Sequence, residues 1–296
     1  MEYVTKSILK KVYKKHDIWA HKGQYGKLLI ISGSERHTGS PIFVGMSACR
    51  AGCDLVYLIG PRRAMDIAAS YSPMLITQPL EGKQLESRHV PEIISMIEEV
   101  RATAIAIGPG LWRTQETRKA ILELIGKINL PMVIDADAIR AVSADVKILY
   151  NKKAVLTPHD NEFLELSNVK VERKNLKDRI KKVTEVAHMI NCSGGLCPIV
   201  PPVVIVLKGH IDVISNGIKT ILNKTGSPLM TKGGMGDSLT GICGALLARG
   251  IDTFTAACAS AYINGKAGEL AVKRFGESVI TTDLIEEIKN VLRNKV

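Results

Sequence analysis

The residues most able to do chemistry stand at the end of the stretch 225–237. Gly233, Gly234 and Gly236 fall within four residues, and Asp237 follows them directly. Glycines let backbone N–H groups converge, and the start of a helix adds partial positive charge, so this pattern favours a bound anion such as a phosphate. A carboxylate there repels a phosphate, unless it takes a proton from the group that attacks the phosphate. Asp237 is therefore a candidate general base, and the alternative is that it only caps the following helix.

A buried helix is needed to position Asp237, and the apolar pattern downstream predicts one. Leu239, Ile242, Cys243, Leu246 and Leu247 recur at helical spacing, which indicates a helix buried along one face. The loop before this helix has neither the G-x-x-x-x-G-K-[ST] phosphate-binding pattern nor the G-x-G-x-x-G dinucleotide pattern. The sequence therefore predicts an anion site of another kind.

Further candidate residues follow predicted strands. The loop 32–41 is rich in small residues, Gly108-Pro-Gly110 ends a strand, and His159 lies between a strand and a helix. Loops after the strands of a parallel α/β sheet carry ligand contacts. Each loop could equally be an ordinary turn, and a lone histidine is more often structural than functional.

Charged residues lie at the ends of two more predicted strands. Asp135 and Asp137 could hold a magnesium ion or orient a ligand, while Asp137 could instead cap the next helix, which we favour. Lys208 and Gly209 follow a strand and could approach a phosphate, although a lysine in a hairpin is common.

Strands and helices alternate along the whole chain, which predicts a parallel sheet with helices on both faces. The predicted strands are 27–32, 54–60, 74–79, 102–108, 131–138, one from 154, 202–209, and a hairpin of 210–215 with 219–223. The main predicted helices are 5–15, 42–51, 62–71, 91–100, 114–127, 172–190, 238–250, 254–274 and 282–293. No linker or repeat divides residues 1–296, so we expect one domain.

The composition narrows the class of partner. The 296 residues include 40 Lys and Arg against 29 Asp and Glu, a formal net charge of +11. These charges form no arginine-rich block and have no interleaved aromatics that would stack bases, so we expect neither nucleic acid nor membrane as a partner. The basic field could gather a small polyanion. No apolar run approaches the ~20 residues of a membrane span, and no signal peptide is seen, so we expect a cytoplasmic protein.

The six cysteines predict neither a disulfide framework nor a metal site. Cys49, Cys53, Cys243 and Cys258 fall in apolar predicted helices or next to them, which favours core packing. The pair Cys192 and Cys197 has no second pair that would complete a zinc site.

Taken in order, the motifs resemble those of the NAD(P)H-hydrate dehydratases, a branch of the ribokinase-like superfamily. They are His-Lys-Gly, Gly-Pro-Gly, Asp-Ala-Asp, Thr-Pro-His, Lys-Gly and Gly-Gly-x-Gly-Asp, and the resemblance runs from about Lys22 to Gly276. It implies a ribokinase-like three-layer α/β sandwich with a mostly parallel central sheet and helices on both faces.

The resemblance also assigns site residues. Ser40, Gly110 and His159 would contact the substrate, with Asp237 as the catalytic base that also touches it. The adenine nucleotide would be lined by Lys208, Gly209, His210, Ile211, Asp212 and Gly236. Asp135 and Asp137 would line the cleft. The chain departs from the family where Ser40 replaces the usual alanine and where Asp160-Asn161 replaces Pro-Gly, which places a negative charge in that loop.

The implied reaction is the repair of hydrated NADH or NADPH. ADP or ATP, with ADP favoured, would phosphorylate the ring hydroxyl, Mg²⁺ would assist, and phosphate would leave. One alternative is a small-molecule kinase of the same fold that acts on a vitamin or sugar alcohol. Another is an adenine-nucleotide-binding module with no turnover. The resemblance further implies a homo-oligomer, with a tetramer favoured, and a separate epimerase protein as a functional partner, because no epimerase segment precedes the first motif in this sequence.

Overall fold

A twisted, mostly parallel sheet forms the centre of the computed structural model, which describes residues 1–192, 197–198 and 202–293. Within these residues the sheet has nine strands in the order β3-β2-β1-β4-β5-β6-β7-β8-β9, parallel from β3 to β7 and antiparallel at β8 and β9. The strands are β1 Lys27–Ile31, β2 Leu55–Pro61, β3 Leu75–Leu80, β4 Ala104–Ile107, β5 Met132–Ile134, β6 Ala154–Leu156, β7 Val203–Leu207, β8 Asp212–Ser215 and β9 Thr220–Asn223.

Helices cover both faces of this sheet. One face carries α1 Ile8–Val12, α2 Ser40–Arg50, α3 Arg62–Tyr71, α9 Met235–Ala248, α10 Thr253–Phe275 and α11 Thr281–Arg293. The other face carries α4 Val90–Val100, α5 Gln115–Lys127, α6 Asp137–Val142, α7 Asp160–Ser167 and α8 Leu176–Asn191. In β1, Leu28 and Ile30 point into the first core, whereas Leu29 and Ile31 point into the second. A strand buried on both sides must be apolar throughout, which explains the continuous runs in the sequence.

The predicted elements match this architecture, with differences at their ends. Helix α3 has the predicted bounds, whereas the strand predicted over 131–138 ends at Ile134 and Asp137 already belongs to α6. The strand ends early because Ala136 adopts φ 50, which turns the chain out of the sheet. Helix α8 begins at Leu176, later than predicted, because the Asn175 side chain accepts the Asp178 N–H at 3.1 Å and caps the helix there.

The cysteine prediction was partly wrong. Cys192, directly after α8, forms a disulfide with Cys197, and their Cα atoms are 4.4 Å apart. The other four cysteines are free, and burial raises the pKa of the Cys243 thiol to about 12. Those four therefore act as packing residues, as predicted. The connector predicted over 191–202 lies mostly outside the described residues.

None of the helices in the described ranges is both long enough and apolar enough to cross a lipid bilayer.

Candidate active site

The candidate residues gather along one edge of the sheet, where the parallel strands end. The chain order of the strands reverses between β1 and β4, which lie side by side. Ser40 follows β1 and Gly110 follows β4, so they flank the point at which α/β sheets open a crevice for ligands. The loops after β5, β6 and β7 continue along the same edge and bring Asp135, His159 and Lys208 to the crevice.

Asp237 lies inside the first turn of α9 and does not cap it. Gly234 occupies the cap position with φ 90, so Asp237 is the third helical residue. In the described part of the chain no backbone N–H donates to its carboxylate. The capping alternative is therefore wrong, and the carboxylate remains available for other chemistry.

The surroundings of Asp237 hold its pKa at about 7, well above the usual range of a carboxyl group. Burial is the largest cause, and the negative charges of Asp135 and Asp137 add to it. The Ser40 hydroxyl and the Lys208 ammonium oppose the shift. A group with a pKa near neutrality is suited to accept a proton and release it again.

The glycine loop before α9 is shaped by close neighbours on one side and open space on the other. A Cβ on Gly234 would lie 2.5 Å from Cδ2 of Phe43, whereas a Cβ on Gly233 would meet nothing within 4 Å. The Thr281 hydroxyl holds the Gly233 carbonyl at 2.6 Å. The loop thus has a fixed backbone beside the helix start, as an anion site requires.

Gly110 and Ser40 are in direct contact. Gly110 has φ 70, and a Cβ there would lie 3.0 Å from Cβ of Ser40 and 2.9 Å from Cβ of His37. A side chain at position 110 would therefore displace Ser40 and His37. The sequence prediction that both residues line one site is consistent with this contact.

Asp135 is fully engaged at the base of the crevice. It is 2% exposed, and its two oxygens accept hydrogen bonds from Lys208 Nζ at 3.1 Å and from the Thr240 hydroxyl at 2.7 Å. Burial lowers the pKa of Lys208, but Asp135, Glu162 and Asp237 together raise it by more, so the ammonium stays charged. Asp135 and Lys208 therefore form a neutral, fixed pair.

Asp137 is engaged elsewhere, and the prediction that it caps the next helix is wrong. It is the first residue of α6, where the cap position belongs to Ala136, and its carboxylate accepts the Trp112 N–H at 3.0 Å and Arg113 Nε at 3.1 Å. Since both carboxylates are occupied, Asp135 and Asp137 do not fit a magnesium ion held by protein carboxylates. An ion bound mainly by substrate phosphates and water remains compatible with the site.

His159 caps α7 and also reaches the cluster. Its Nδ1 accepts the backbone N–H groups of Asn161 and Glu162, each at 3.2 Å, which leaves Nε2 to carry the proton in the neutral ring. Nε2 lies 3.4 Å from Glu162 Oε1, and the other oxygen of Glu162 lies 3.9 Å from Lys208 Nζ. The ring is about half exposed, so it borders the crevice and is open to a ligand.

The segment 208–212 is a braced turn. Asp212 accepts the Gly209 N–H at 3.0 Å and Asn223 Nδ2 at 2.9 Å, and burial raises the pKa of its carboxyl to about 6. A Cβ on Gly236 would lie 3.4 Å from Lys208 Nζ, so this turn adjoins the start of α9.

The predicted nucleotide residues are only partly brought together. Lys208 and Gly236 are neighbours, whereas Gly209 and His210 are exposed at the outer end of the turn. In the described residues His210 makes no hydrogen bond or ion pair with other site residues.

Sequence reasoning missed three residues of this site. Thr240 stands one helical turn after Asp237 and was treated only as part of a helix. Glu162 has no predicted role, yet it is a buried partner of Lys208 at 3.9 Å. Arg179 falls in the predicted helix 172–190 and has no predicted role, yet it is buried, and it binds Asp160 at 2.6 Å and the Lys208 carbonyl at 2.9 Å.

Known proteins resemble this chain over most of its length. A family model described as NAD(P)H-hydrate dehydratase matches residues 28–290. The bifunctional NAD(P)H-hydrate repair enzyme Nnr of Pyrobaculum aerophilum is 39% identical over 274 residues, 92% of this chain and 51% of that protein. The ADP-dependent (S)-NAD(P)H-hydrate dehydratase of Nitrosopumilus maritimus is 31% identical over 293 residues, 98% of this chain and 96% of that protein. The chain thus spans about half the length of the bifunctional relatives it matches.

Solved structures share the fold. A ribokinase-like superfamily protein of Enterococcus faecalis has a TM-score of 0.81 at 21% identity. The match covers 100% of this chain and 96% of that protein. The ADP/ATP-dependent NAD(P)H-hydrate dehydratase of Bacillus subtilis, co-crystallised with ATP and Mg²⁺, has a TM-score of 0.79 at 24% identity. That match covers 100% of this chain and 99% of that protein. The predicted ribokinase-like sandwich is therefore confirmed. With the match over residues 28–290, the chain belongs to the NAD(P)H-hydrate dehydratase family.

Proposed function

We propose that this chain uses ADP, in preference to ATP, to dehydrate hydrated NADH or NADPH and restore the reduced nicotinamide cofactor. The observation that carries the proposal is Asp237, a carboxylate with a pKa of about 7 that no amide binds within the described residues. It sits in the first turn of a helix, directly after a glycine loop. The ADP-dependent relative from Nitrosopumilus maritimus, similar over nearly its whole length, supports the same activity.

The hydrated ring would lie between Ser40, Gly110 and His159. Gly110 packs so closely against Ser40 and His37 that a Cβ there would displace the residues that border the ring. The His159 side chain is about half exposed, and Nε2 carries a proton in the neutral ring, so it can donate to the amide oxygen of the nicotinamide group. The ring hydroxyl at C6 would then point to Asp237.

The chemistry would proceed in two steps. Asp237 accepts the proton of the C6 hydroxyl while that oxygen attacks the terminal phosphorus, and the bond to the leaving nucleotide breaks. N–H groups of the loop around Gly233, Gly234 and Gly236 hold the charge that develops on the phosphoryl oxygens. Phosphate then departs with the C6–O bonding pair, water accepts a proton from C5, and the C5–H bonding pair forms the ring double bond. Hydroxide would leave far less readily than phosphate.

The nucleotide would occupy the segment 208–212 and Gly236. The ammonium of Lys208 is held by Asp135 and Glu162, so it stays at the phosphates as a fixed positive charge. Magnesium would enter with the nucleotide, bound to its phosphate oxygens and water, and would neutralise part of their charge. The relative from Bacillus subtilis, crystallised with ATP and Mg²⁺, supports this requirement.

We further propose a cytoplasmic homo-oligomer, with a tetramer favoured, that works together with an epimerase activity. The names of the longer relatives, which are bifunctional repair enzymes, support a second repair activity as its partner. The small residues of α10, such as Ala256 and Ala257, are buried within this chain, so a subunit contact would need another surface.

One assay separates the dehydratase from a kinase of the same fold. Hydrated NADH is supplied with ADP or ATP and Mg²⁺, and the NADH absorbance band is followed together with free phosphate. The dehydratase restores the band and releases phosphate in equal amounts. A stable phosphorylated product without recovery of the band would instead identify a kinase.

A further inference from the structure

Trp112 has a strained backbone two residues after Gly110. Its φ is 77, a conformation that glycine adopts freely and a bulky residue rarely does. The Trp112 N–H donates to Asp137, which also accepts Arg113 Nε, so one carboxylate fixes the turn. Strain of this kind persists where the surrounding structure imposes it, and it concentrates at functional sites.

Arg36 lies over this tryptophan. Its Cζ is 4.6 Å from the centre of the indole ring, and in the described residues no carboxylate lies within ion-pair distance of it. The neighbouring cations differ, because Lys83 pairs with Glu35 at 3.4 Å and Arg62 pairs with Glu81. An unpaired guanidinium placed against an aromatic ring can bind an anion and a flat ring together.

The pair stands at the outer wall of the proposed ring site. Arg36 belongs to the loop after β1 and Trp112 to the loop after β4, and the Ser32 hydroxyl joins these loops by donating to the Pro109 carbonyl at 2.6 Å. The same loops supply Ser40 and Gly110. A dinucleotide whose ring lay there would extend its diphosphate and adenosine out of the crevice.

We propose that Arg36 and Trp112 bind the adenosine diphosphate half of the hydrated dinucleotide substrate, at a place distinct from the ADP that drives the reaction. The inference rests on the proposed function, since it needs the hydrated ring beside Ser40 and Gly110. The guanidinium pairs with the diphosphate, and the indole stacks on the adenine. These two residues thereby make the site selective for a dinucleotide over a mononucleotide.

The test is equilibrium binding of two ligands by the full chain without nucleotide, so that no turnover occurs. The ligands are hydrated NADH and hydrated reduced nicotinamide mononucleotide. We expect Arg36→Gln and Trp112→Gly each to weaken the binding of hydrated NADH about tenfold, as the loss of one charge-assisted or stacking contact does. Trp112→Gly should leave the binding of the mononucleotide unchanged, and Arg36→Gln should weaken it less than that of hydrated NADH, because the mononucleotide keeps only one of the two phosphates. Trp112→Phe keeps an aromatic face and should retain most of the affinity.

Arg101→Gln is the matched control, because Arg101 is an exposed arginine at the opposite edge of the sheet, between α4 and β4. It should bind both ligands as the wild type does, and thermal unfolding checks that every variant folds. Equal wild-type affinities for the two ligands, or equal losses for both in Arg36→Gln, would overturn the inference. Failure of the wild type to bind either ligand would instead count against the proposed function.

Discussion

The crevice has two sides, which differ in whether their charged side chains are paired within the protein. The side formed by β5, β6 and β7 is braced, since Lys208 is held between Asp135 and Glu162. The side formed by the loops after β1 and β4, together with the first turn of α9, is open. There Arg36 has no acidic partner and Asp237 no amide donor among the described residues. Bracing fixes the place of a ligand, whereas open groups remain free to bind or react.

The difference explains why two similar carboxylates behave differently. Asp135 takes the closest contact with Lys208 and a second bond from Thr240. Asp237 interacts more weakly with the same ammonium group, and burial raises the pKa of Asp237 to about 7. The braced side thus prepares the reactive group on the open side.

Replacing Asp237 gives the largest expected effect. Asp237→Asn should lower kcat about 1000-fold, because the general base is lost while the shape is kept. The pKa of Asp237 rises from 3.8 unfolded to about 7 folded, so its stabilising contribution is complete below pH 3.8 and is lost as the pH rises to 7. The variant should therefore be more stable than the wild type at high pH, by on the order of 1–2 kcal/mol once solvent screening is allowed for.

Steady-state kinetics and urea unfolding at two pH values measure both effects. Asp66→Asn, an exposed substitution on α3, serves as the control and should change neither. A variant that kept wild-type kcat would remove Asp237 from the mechanism.

Breaking the braced side should come next. Lys208→Met removes the cation between Asp135 and Glu162 and leaves two buried carboxylates without a counterion, which should cost about 3 kcal/mol of unfolding free energy. Affinity for ADP should fall by tenfold or more, since a fixed charge at the phosphates is lost. Calorimetric titration with ADP and urea unfolding test this, with the exposed Lys181→Met as control. Unchanged stability would show that Lys208 does not stabilise Asp135 and Glu162.

Closing the open side gives a smaller effect. Gly110→Ala adds a Cβ about 3 Å from Ser40 and His37 at φ 70, so kcat/KM for hydrated NADH should fall about tenfold. Gly250→Ala is the matched control, because Gly250 has φ 80 but open space around it. Both variants should lose roughly 1–2 kcal/mol to the backbone conformation, while only Gly110→Ala loses activity. Equal activity in both would mean that Gly110 does not border the substrate.

The smallest effect concerns the charge at Asp160. Arg179 neutralises it at 2.6 Å and also holds the Lys208 carbonyl, so a double-mutant cycle of Asp160→Asn and Arg179→Gln should give a coupling of about 1 kcal/mol. Asp160→Asn alone should leave ADP affinity within about twofold. A coupling near zero would show that the loop tolerates its negative charge without this partner.

The sequence predicted the layered fold and the order of its strands and helices because apolar runs and glycines act locally, but it placed several strand ends too far along the chain. It also placed Gly110 at the end of a strand and Asp237 at the start of a buried helix. It could not predict the brace, since Lys208 meets Asp135 across 73 residues and Thr240 meets Asp135 across 105. The strain at Trp112 and the turn at Ala136 were equally invisible, because each depends on tertiary contacts and neither residue type favours a positive φ.

The most direct test of the division between braced and open sides is the pH dependence of kcat/KM for hydrated NADH with saturating ADP. Asp237 must be ionised to accept a proton, so kcat/KM should rise with pH through an apparent pKa of about 7 and then level off. The residual activity of Asp237→Asn should lack this rise. A wild-type profile that is flat from about pH 5.5 to 9, or that falls across pH 7, would contradict the role given to this carboxylate.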